Sequence, residues 1–476
     1  MQSLLDRILP NQAGVLWIAI LVTFFVFGNL QQLMSPRNIV LALLLLLAPM
    51  LVDLIPLTQS MHAGLVWVMV FGVTSLYFAW AILLSRTTPI SWEVRVPGRG
   101  LRALVALLIV LDAAVVFGHP PDDAGRYSNL AAQRWLETGA LPYADKALSG
   151  PNAIGRGGAA TYGPVLYGAH VPVQLLLGSR RNPATLSPGD PAYTFPPNLA
   201  TQIVCFAFFV LGLAALYGIV RRDAGLEVAL GVTAVWAASP FVLGVGGPVA
   251  VVGGLRYISH IAPAALTLVG LLVLEKPVAA GAMLALATGV LFYPIFFFPA
   301  WLGWYAWRSW KKAAQFTAGC AVVGLVLAAV VLVFTHAAPG ESAPLLFLQS
   351  TFGHQEGTQL GAYGSSPFGF WGTHPALAAF WQRPLVGASF ATHPIFLLYA
   401  LFVTGSFFLA RGRTRGQLAG LTAALALGTQ LWKTHGGGTY VGWYYPLLLV
   451  AVFAGTVAME RADPLLASPL PTASAA

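Results

Sequence analysis

The stretch LRALVALLIVLDAAVVFGHPPDDAGRYSNLAAQRWLETGALPY, residues 101–143, decides how the rest of the chain is read. It opens on an apolar run that ends at Gly118. That run is close to the ~20 residues needed to cross the hydrocarbon core of a bilayer. Pro120 and Pro121 then stop the helix. Asp122 and Asp123 fall where apolar sequence gives way to polar sequence, at a membrane–water boundary. A second helix is predicted over 125–138. Leu130, Trp135 and Leu136 can face lipid or the protein body, and Arg126, Gln133, Arg134 and Glu137 can face water or a site. Gly139 suits a C-cap, and Pro142-Tyr143 turns the chain. One of the two aspartates is expected to cap this helix, since a carboxylate at a helix start accepts unpaired backbone N–H groups and complements the dipole. Two adjacent carboxylates are more than a cap needs.

Working outward, apolar runs recur at 14–34, 38–57 and 63–84 before this stretch. After it they recur at 198–220, 226–245, 258–274, 278–294, 295–307, 314–335, 393–410, 416–432 and 440–458. The fold class expected is therefore an all-α polytopic membrane protein with about 13 transmembrane helices and two long outer loops containing interfacial helices. The pair 278–294 and 295–307 reads as one unit broken by Pro294 and Pro299. The first run is expected to be a retained span and not a cleaved leader, because further spans follow it directly. Hydrophobic residues make up 57% of the chain and charged residues 9%. A soluble protein carries about 25% charge, so a large soluble helical protein is excluded. The net charge of +9 is assigned to basic loops and not to nucleic acid. Cys205 and Cys320 both lie in apolar runs and read as small core residues, with no disulfide framework.

The basic residues orient the chain. Clusters at Arg86 to Arg102, Arg221-Arg222, Arg308 to Lys312 and Arg411 to Arg415 fall on one side only if the stretch Tyr162–Leu177 does not cross the membrane. That stretch is therefore read as a helix lying on, or dipping into, the outer face. The two long loops, from His119 to about Pro197 and from His336 to about Thr392, then lie outside.

The pieces D-x3-Y (Asp123 to Tyr127), G-A-L-P-Y (Gly139 to Tyr143) and Y-G-P-V-L-Y (Tyr162 to Tyr167) together resemble the first outer loop of GT-C glycosyltransferases. They look most like the polyprenol-phosphate-dependent mannosyltransferases. Two further stretches are similar: Arg256 to Lys312, with Ala280-Gly281 and an aromatic span ending R-S-W-K-K, and the final aromatic helix start with His435, Tyr440 and Trp443 to Pro446. In this sequence three extra spans precede the aspartates, and Y-G-P stands where Y-P-P is common. The apolar runs make residues 1–100 additional N-terminal transmembrane helices, the resemblance implies 101–460 as a GT-C-like catalytic module, and the composition of 461–476 predicts a disordered tail.

The resemblance implies an inverting transfer of a sugar, mannose among the candidates, from a polyprenyl-phosphate donor to a glycan or lipid acceptor hydroxyl on the non-cytoplasmic face of a cell membrane. Such chemistry needs a base for the acceptor proton, cations for the leaving phosphate, and a site open to lipid and water. Asp123 is the expected base, for its spacing to Tyr127, with Asp122 in reserve. Arg256 and His260 are expected to hold the phosphate, sharing one face if their helix is continuous. His435 is next, in a Gly-rich turn whose N–H groups can approach an anion. Snorkelling into the interface explains Arg256 and His260 equally well. Tyr127, Arg126, Tyr143, Tyr162 and His354 are the expected substrate contacts. No cofactor is firmly implied. A divalent metal, Mg or Mn, stays open because two ionised carboxylates in one pocket need a shared counter-ion or a raised pKa. His354 and Glu356 are too few to signal a metal site on their own.

Asp112 lies inside the span before the loop, where a carboxylate is costly and is expected to be paired, with Arg256 for example, or protonated in a helix contact. Two other classes remain: a multi-pass transporter or lipid flippase, for which Asp112 and the broken 278–307 region speak, and a scaffold of a cell-envelope complex.

Overall fold

The computed structural model describes residues 12–45, 63–87, 90–145, 148, 157–177, 198–243, 254–353, 394–432 and 440–454. Among the described residues the chain is helical, with no strand. The first helices are α1 (Gln12–Phe27), α2 (Pro36–Leu45), α3 (Ala63–Leu84), α4 (Gly98–Gly118), α5 (Asp123–Thr138) and α6 (Pro164–Leu176). Then come α7 (Leu199–Ala224), α8 (Leu226–Ala237, followed by a turn and Pro240–Leu243), α9 (Ile258–Leu272) and α10 (Pro277–Val290). After a 3-10 segment at Tyr293–Phe297 follow α11 (Phe298–Ala306), α12 (Trp310–Phe334), α13 (Ala343–Leu348), α14 (Pro394–Leu409), α15 (Arg415–Trp432) and α16 (Tyr445–Phe453).

Among the described residues four segments are long and apolar enough to cross a membrane: Gly98–Gly118, Leu199–Ala224, Leu226–Leu243 and Trp310–Phe334. About 13 full spans are expected from the sequence; among the described residues turns and prolines shorten some of the apolar runs. Helix α10, for instance, has 14 residues and stops before the Pro294 segment, as Pro294 and Pro299 require. The apolar outer surface matches a lipid surrounding better than water. On α12, Val322, Leu325, Leu332 and Val333 are all more than half exposed, as are Leu21 and Phe25 on α1 and Leu401 on α14.

Helices α9, α7 and α8 pack side by side, with α10 and α12 beside them. Small residues set the α10–α12 spacing. A Cβ on Gly281 would land on the Phe316 carbonyl oxygen, and one on Gly319 would land on the Val278 carbonyl oxygen. Close backbone approach of this kind is how helices associate where lipid competes for apolar side chains. Gly281→Val is expected to force the pair apart and cost about 2–3 kcal/mol. The check is thermal unfolding of the detergent-solubilised protein beside Gly324→Ala, whose Cβ meets open space. Equal melting of both variants would refute the close-approach argument.

The basic loops meet at one end of the molecule. Arg415 pairs with Asp223 and Glu275, Glu275 reaches Arg222, and Arg308 donates to the Arg413 carbonyl. Gly98, which opens α4, lies at this end beside Glu227. Helix α4 therefore delivers His119, Pro120 and Pro121 to the opposite end.

Candidate active site

At that opposite end the chain leaves α4 through a satisfied terminus. The Gln202 amide of α7 donates to the carbonyls of Val116 at 3.0 Å and His119 at 2.8 Å, answering two of the acceptors a helix end exposes. The next residues run beside the turn before α9. The Asp122 N–H donates to the Arg256 carbonyl at 3.2 Å, and Arg256 Nη1 donates to the Pro120 carbonyl at 3.3 Å. Asp122 and Arg256 are thus neighbours through backbone, although far apart in sequence. Helix α9 begins only at Ile258. Arg256 sits in the preceding turn, and the helical i,i+4 relation expected for Arg256 and His260 does not apply.

Asp122 is the N-cap of α5. Its backbone is extended and its Oδ1 accepts the Gly125 N–H at 2.9 Å. Gly125 is required there because a Cβ would press on Thr201 of α7 at 2.5 Å and on Asp122 Oδ1 at 3.0 Å. Thr201 Oγ1 donates to the Gly125 carbonyl at 3.1 Å, pinning the helix start to α7. Asp123 is the first helical residue; its side chain lies outside the described residues. The far end of α5 closes as expected, on Gly139 with φ 70° and its N–H on the Trp135 carbonyl.

His260 is buried in an aromatic enclosure. Its ring stacks on Tyr257 at 5.2 Å and lies 4.7 Å from Tyr440 and 6.1 Å from Trp443. Tyr293 stacks flat on Trp443 at 4.0 Å. A Cβ on Gly442 would sit 2.9 Å from the His260 Cβ, so Gly442 lets the last segment close over the imidazole.

The tyrosines divide. Tyr143 is interior: its hydroxyl donates to the Tyr162 carbonyl at 2.9 Å, and its ring meets Phe347 edge-on at 5.0 Å. Burial, with Tyr167 alongside, pushes its phenol well above the ordinary value. Tyr167 is buried too and donates to the Ala159 carbonyl at 2.6 Å. These two hydroxyls hold the 157–167 segment in shape. Tyr162 and Tyr127 are half-buried, and Arg126 is exposed. Arg134 pairs with Asp145 at 2.8 Å, fixing the loop after α5. Along the α5–α6 seam Gln174 donates to the Asn129 carbonyl at 2.7 Å, and His170, pushed down to about 4 by burial, gives or shares a proton with the Leu166 carbonyl at 2.8 Å. Gln202, Thr201 and Asp145 carry this architecture and did not stand out in the sequence, since isolated polar residues near helix ends carry no local signal of their distant partners.

His354, Glu356 and His435 lie outside the described residues. Asp112 is fully buried, and neither of its carboxylate oxygens has a hydrogen-bond partner among the described residues. The expected pairing with Arg256 is not formed. Among the described residues no group of three or more His, Cys, Asp or Glu is placed to hold a metal ion.

On the other side of the Tyr162–Pro164 bend lies an apolar groove of about 450 Å³, walled by α10, α12 and α13. Leu284, Thr288, Leu327, Val331 and Phe347 line it, and Gly163-Pro164 closes one end. The Y-G-P form has a physical reason here. The Gly163 N–H donates to the Val290 carbonyl at 3.0 Å, and a Cβ at 163 would land on the Gly289 carbonyl oxygen. A proline at 163 would lack the donor and collide.

No family model, no curated protein and no solved structure matches this chain.

Proposed function

We propose that the chain is a GT-C-type membrane glycosyltransferase that moves a hexosyl group, mannose being the first choice, from a polyprenyl-phosphate donor to an acceptor hydroxyl. In this reading it is a multi-pass protein of the cell membrane with its site on the non-cytoplasmic face. The observation that supports the proposal is an apolar groove linked through packed residues to a polar helix start. The groove ends at Gly163, which donates to the Val290 carbonyl; Tyr293, three residues on, stacks on the Trp443 that meets His260, and Arg256, four residues before His260, holds the Asp122 N–H through its carbonyl. An isoprenoid chain suits the groove, and a phosphate at the water boundary suits a guanidinium.

Asp123 takes the proton of the acceptor hydroxyl as its oxygen attacks the anomeric carbon. The bond to the phosphate oxygen breaks on the opposite side, which inverts the configuration, and the released polyprenyl phosphate leaves with the electron pair. Arg256 offsets the charge growing on that phosphate. His260 and His435 are the further donors of the phosphate pocket; Tyr127, Arg126, Tyr162 and His354 contact the sugar or acceptor. Tyr143 acts by shaping the loop.

The test is transfer by the purified protein in detergent, using labelled polyprenyl-phosphate sugars beside nucleotide sugars. Gly324→Phe fills the groove from a position where a Cβ meets nothing within 4 Å. It is expected to raise KM for the polyprenyl donor by roughly tenfold, the loss of about 1.4 kcal/mol of apolar contact, with little change in kcat. Transfer from nucleotide sugars alone, or an unchanged KM, would count against the groove as donor site. The transporter or flippase reading draws on buried Asp112, and lipid translocation in vesicles without any sugar transfer would favour it.

A further inference from the structure

The basic end of the molecule carries a second arrangement that glycosyl transfer does not use. The sequence after α14 reads Arg411-Gly412-Arg413-Thr414-Arg415. Gly412, at φ 69°, turns it tightly against α11. Trp304 Nε1 and Arg308 Nη2 both donate to the Arg413 carbonyl, at 2.8 and 2.7 Å. The Arg308 guanidinium lies 3.7 Å over the Trp304 ring, and that of Arg411 lies 4.9 Å over Trp307. Trp307 is fixed by its own bond to the Phe407 carbonyl at 3.1 Å. Burial first, and then the nearby Arg86 cation, push Arg413 below the usual guanidinium value.

Four cations, Arg86, Arg308, Arg411 and Arg413, thus share one corner. The acids of this end are committed elsewhere: Asp223 to Arg415, and Glu275 to Arg415 and Arg222, with Glu275 also lending Arg308 a weaker attraction. Among the described residues none of the four arginines is in an ion pair. Holding like charges together on rings and carbonyls costs free energy unless an anion completes the set. Planar guanidinium forks are matched to phosphate oxygens.

The surroundings of the corner choose among anions. Directly beside the arginines Phe408 is 64% exposed, and Leu401, two turns along the same face of α14, is 70% exposed. Trp307 and Trp310 are exposed as well, as aromatic residues are at a membrane interface. A phosphate resting on the guanidiniums therefore has an apolar strip leading away from it. We propose that this corner binds the phosphodiester headgroup of an anionic phospholipid, with its acyl chains along Leu401 and Phe408. The proposal rests on the chain being membrane-embedded and is independent of glycosyl transfer.

The test is native mass spectrometry of the full-length protein in detergent with added dioleoyl-phosphatidylglycerol or dioleoyl-phosphatidylcholine. Wild type is expected to retain phosphatidylglycerol selectively. The double variant Arg86→Gln, Arg411→Gln should lose on the order of tenfold in that retention. Lys311→Gln with Lys312→Gln removes the same charge from exposed positions at this end and should retain the lipid. If the arginine variant does not fold, Arg411→Lys keeps the charge, loses the fork and should bind weakly. Equal retention of both lipids, equal loss in the lysine variant, undiminished binding by Arg411→Lys, or displacement by excess inorganic phosphate would each overturn a lipid headgroup site here.

Discussion

Asp123→Asn is expected to lower sugar transfer by about three orders of magnitude, while Asp122→Asn stays within about threefold of wild type. The asymmetry follows from what Asp122 already does. Its Oδ1 holds the Gly125 N–H, its own N–H is held by the Arg256 carbonyl, and Gly125 is pinned to Thr201. This is a capping role, and asparagine caps as well as aspartate does. One carboxylate thereby accounts for the start of α5, and in the proposed reaction proton transfer falls to the second. A general base contributes about 10²- to 10⁴-fold, and an amide cannot accept the acceptor proton. The measurement is kcat with a polyprenyl-phosphate sugar for the two variants and wild type, with thermal unfolding as the folding control. Asp122→Ala separates the roles further: losing the cap costs about 1 kcal/mol of stability, so its melting point should fall while any activity measured below the transition survives. Full activity in both asparagine variants would sink the catalytic assignment and move the transporter reading ahead.

The start of α5 was legible because capping is local chemistry. Pro-Pro-Asp-Asp, a polar helix and Gly139 lie within a few turns of one another, and each acts on backbone it can reach. The break at Pro294 was legible for the same reason. The pairing of Asp122 with Arg256 was not, because it is backbone to backbone and depends on how α4, α7 and α9 pack. Helical spacing suggested Arg256 and His260 as one face, but the helix begins two residues after Arg256. The interior place of Tyr143 was also hidden: a tyrosine after a Gly-Ala-Leu-Pro turn looks the same whether its hydroxyl meets a substrate or a carbonyl 19 residues on. Apolar composition announced a helical membrane-type protein, yet the number of full spans depends on where turns cut the runs. Gly163 shows the limit in miniature. Sequence displays the missing proline, and only the packing against Gly289 explains it.

Arg415→Met is expected to destabilise the protein by about 3–5 kcal/mol, and the double variant with Asp223→Leu by clearly less. Arg415 is the first residue of α15, where the helix dipole repels a cation. It is held there by Asp223 at the end of α7, 2.7 Å away, and by Glu275 in the turn before α10, at 3.4 Å. One guanidinium therefore ties three helices together. The environment makes the tie costly to cut. The Arg415 and Asp223 side chains are 8% and 10% exposed, so removing the arginine leaves a carboxylate with little access to water. Removing both charges and filling the space with apolar atoms avoids that penalty, because a buried pair contributes little net stability compared with a well-packed apolar replacement. Glu275 is half exposed and keeps Arg222 at 3.7 Å, so it tolerates the loss. A double-mutant cycle on thermal unfolding in detergent measures the coupling directly. A coupling near zero, with the two single losses simply adding, would mean that the three helix ends are held by packing and that the ion pair is incidental to it.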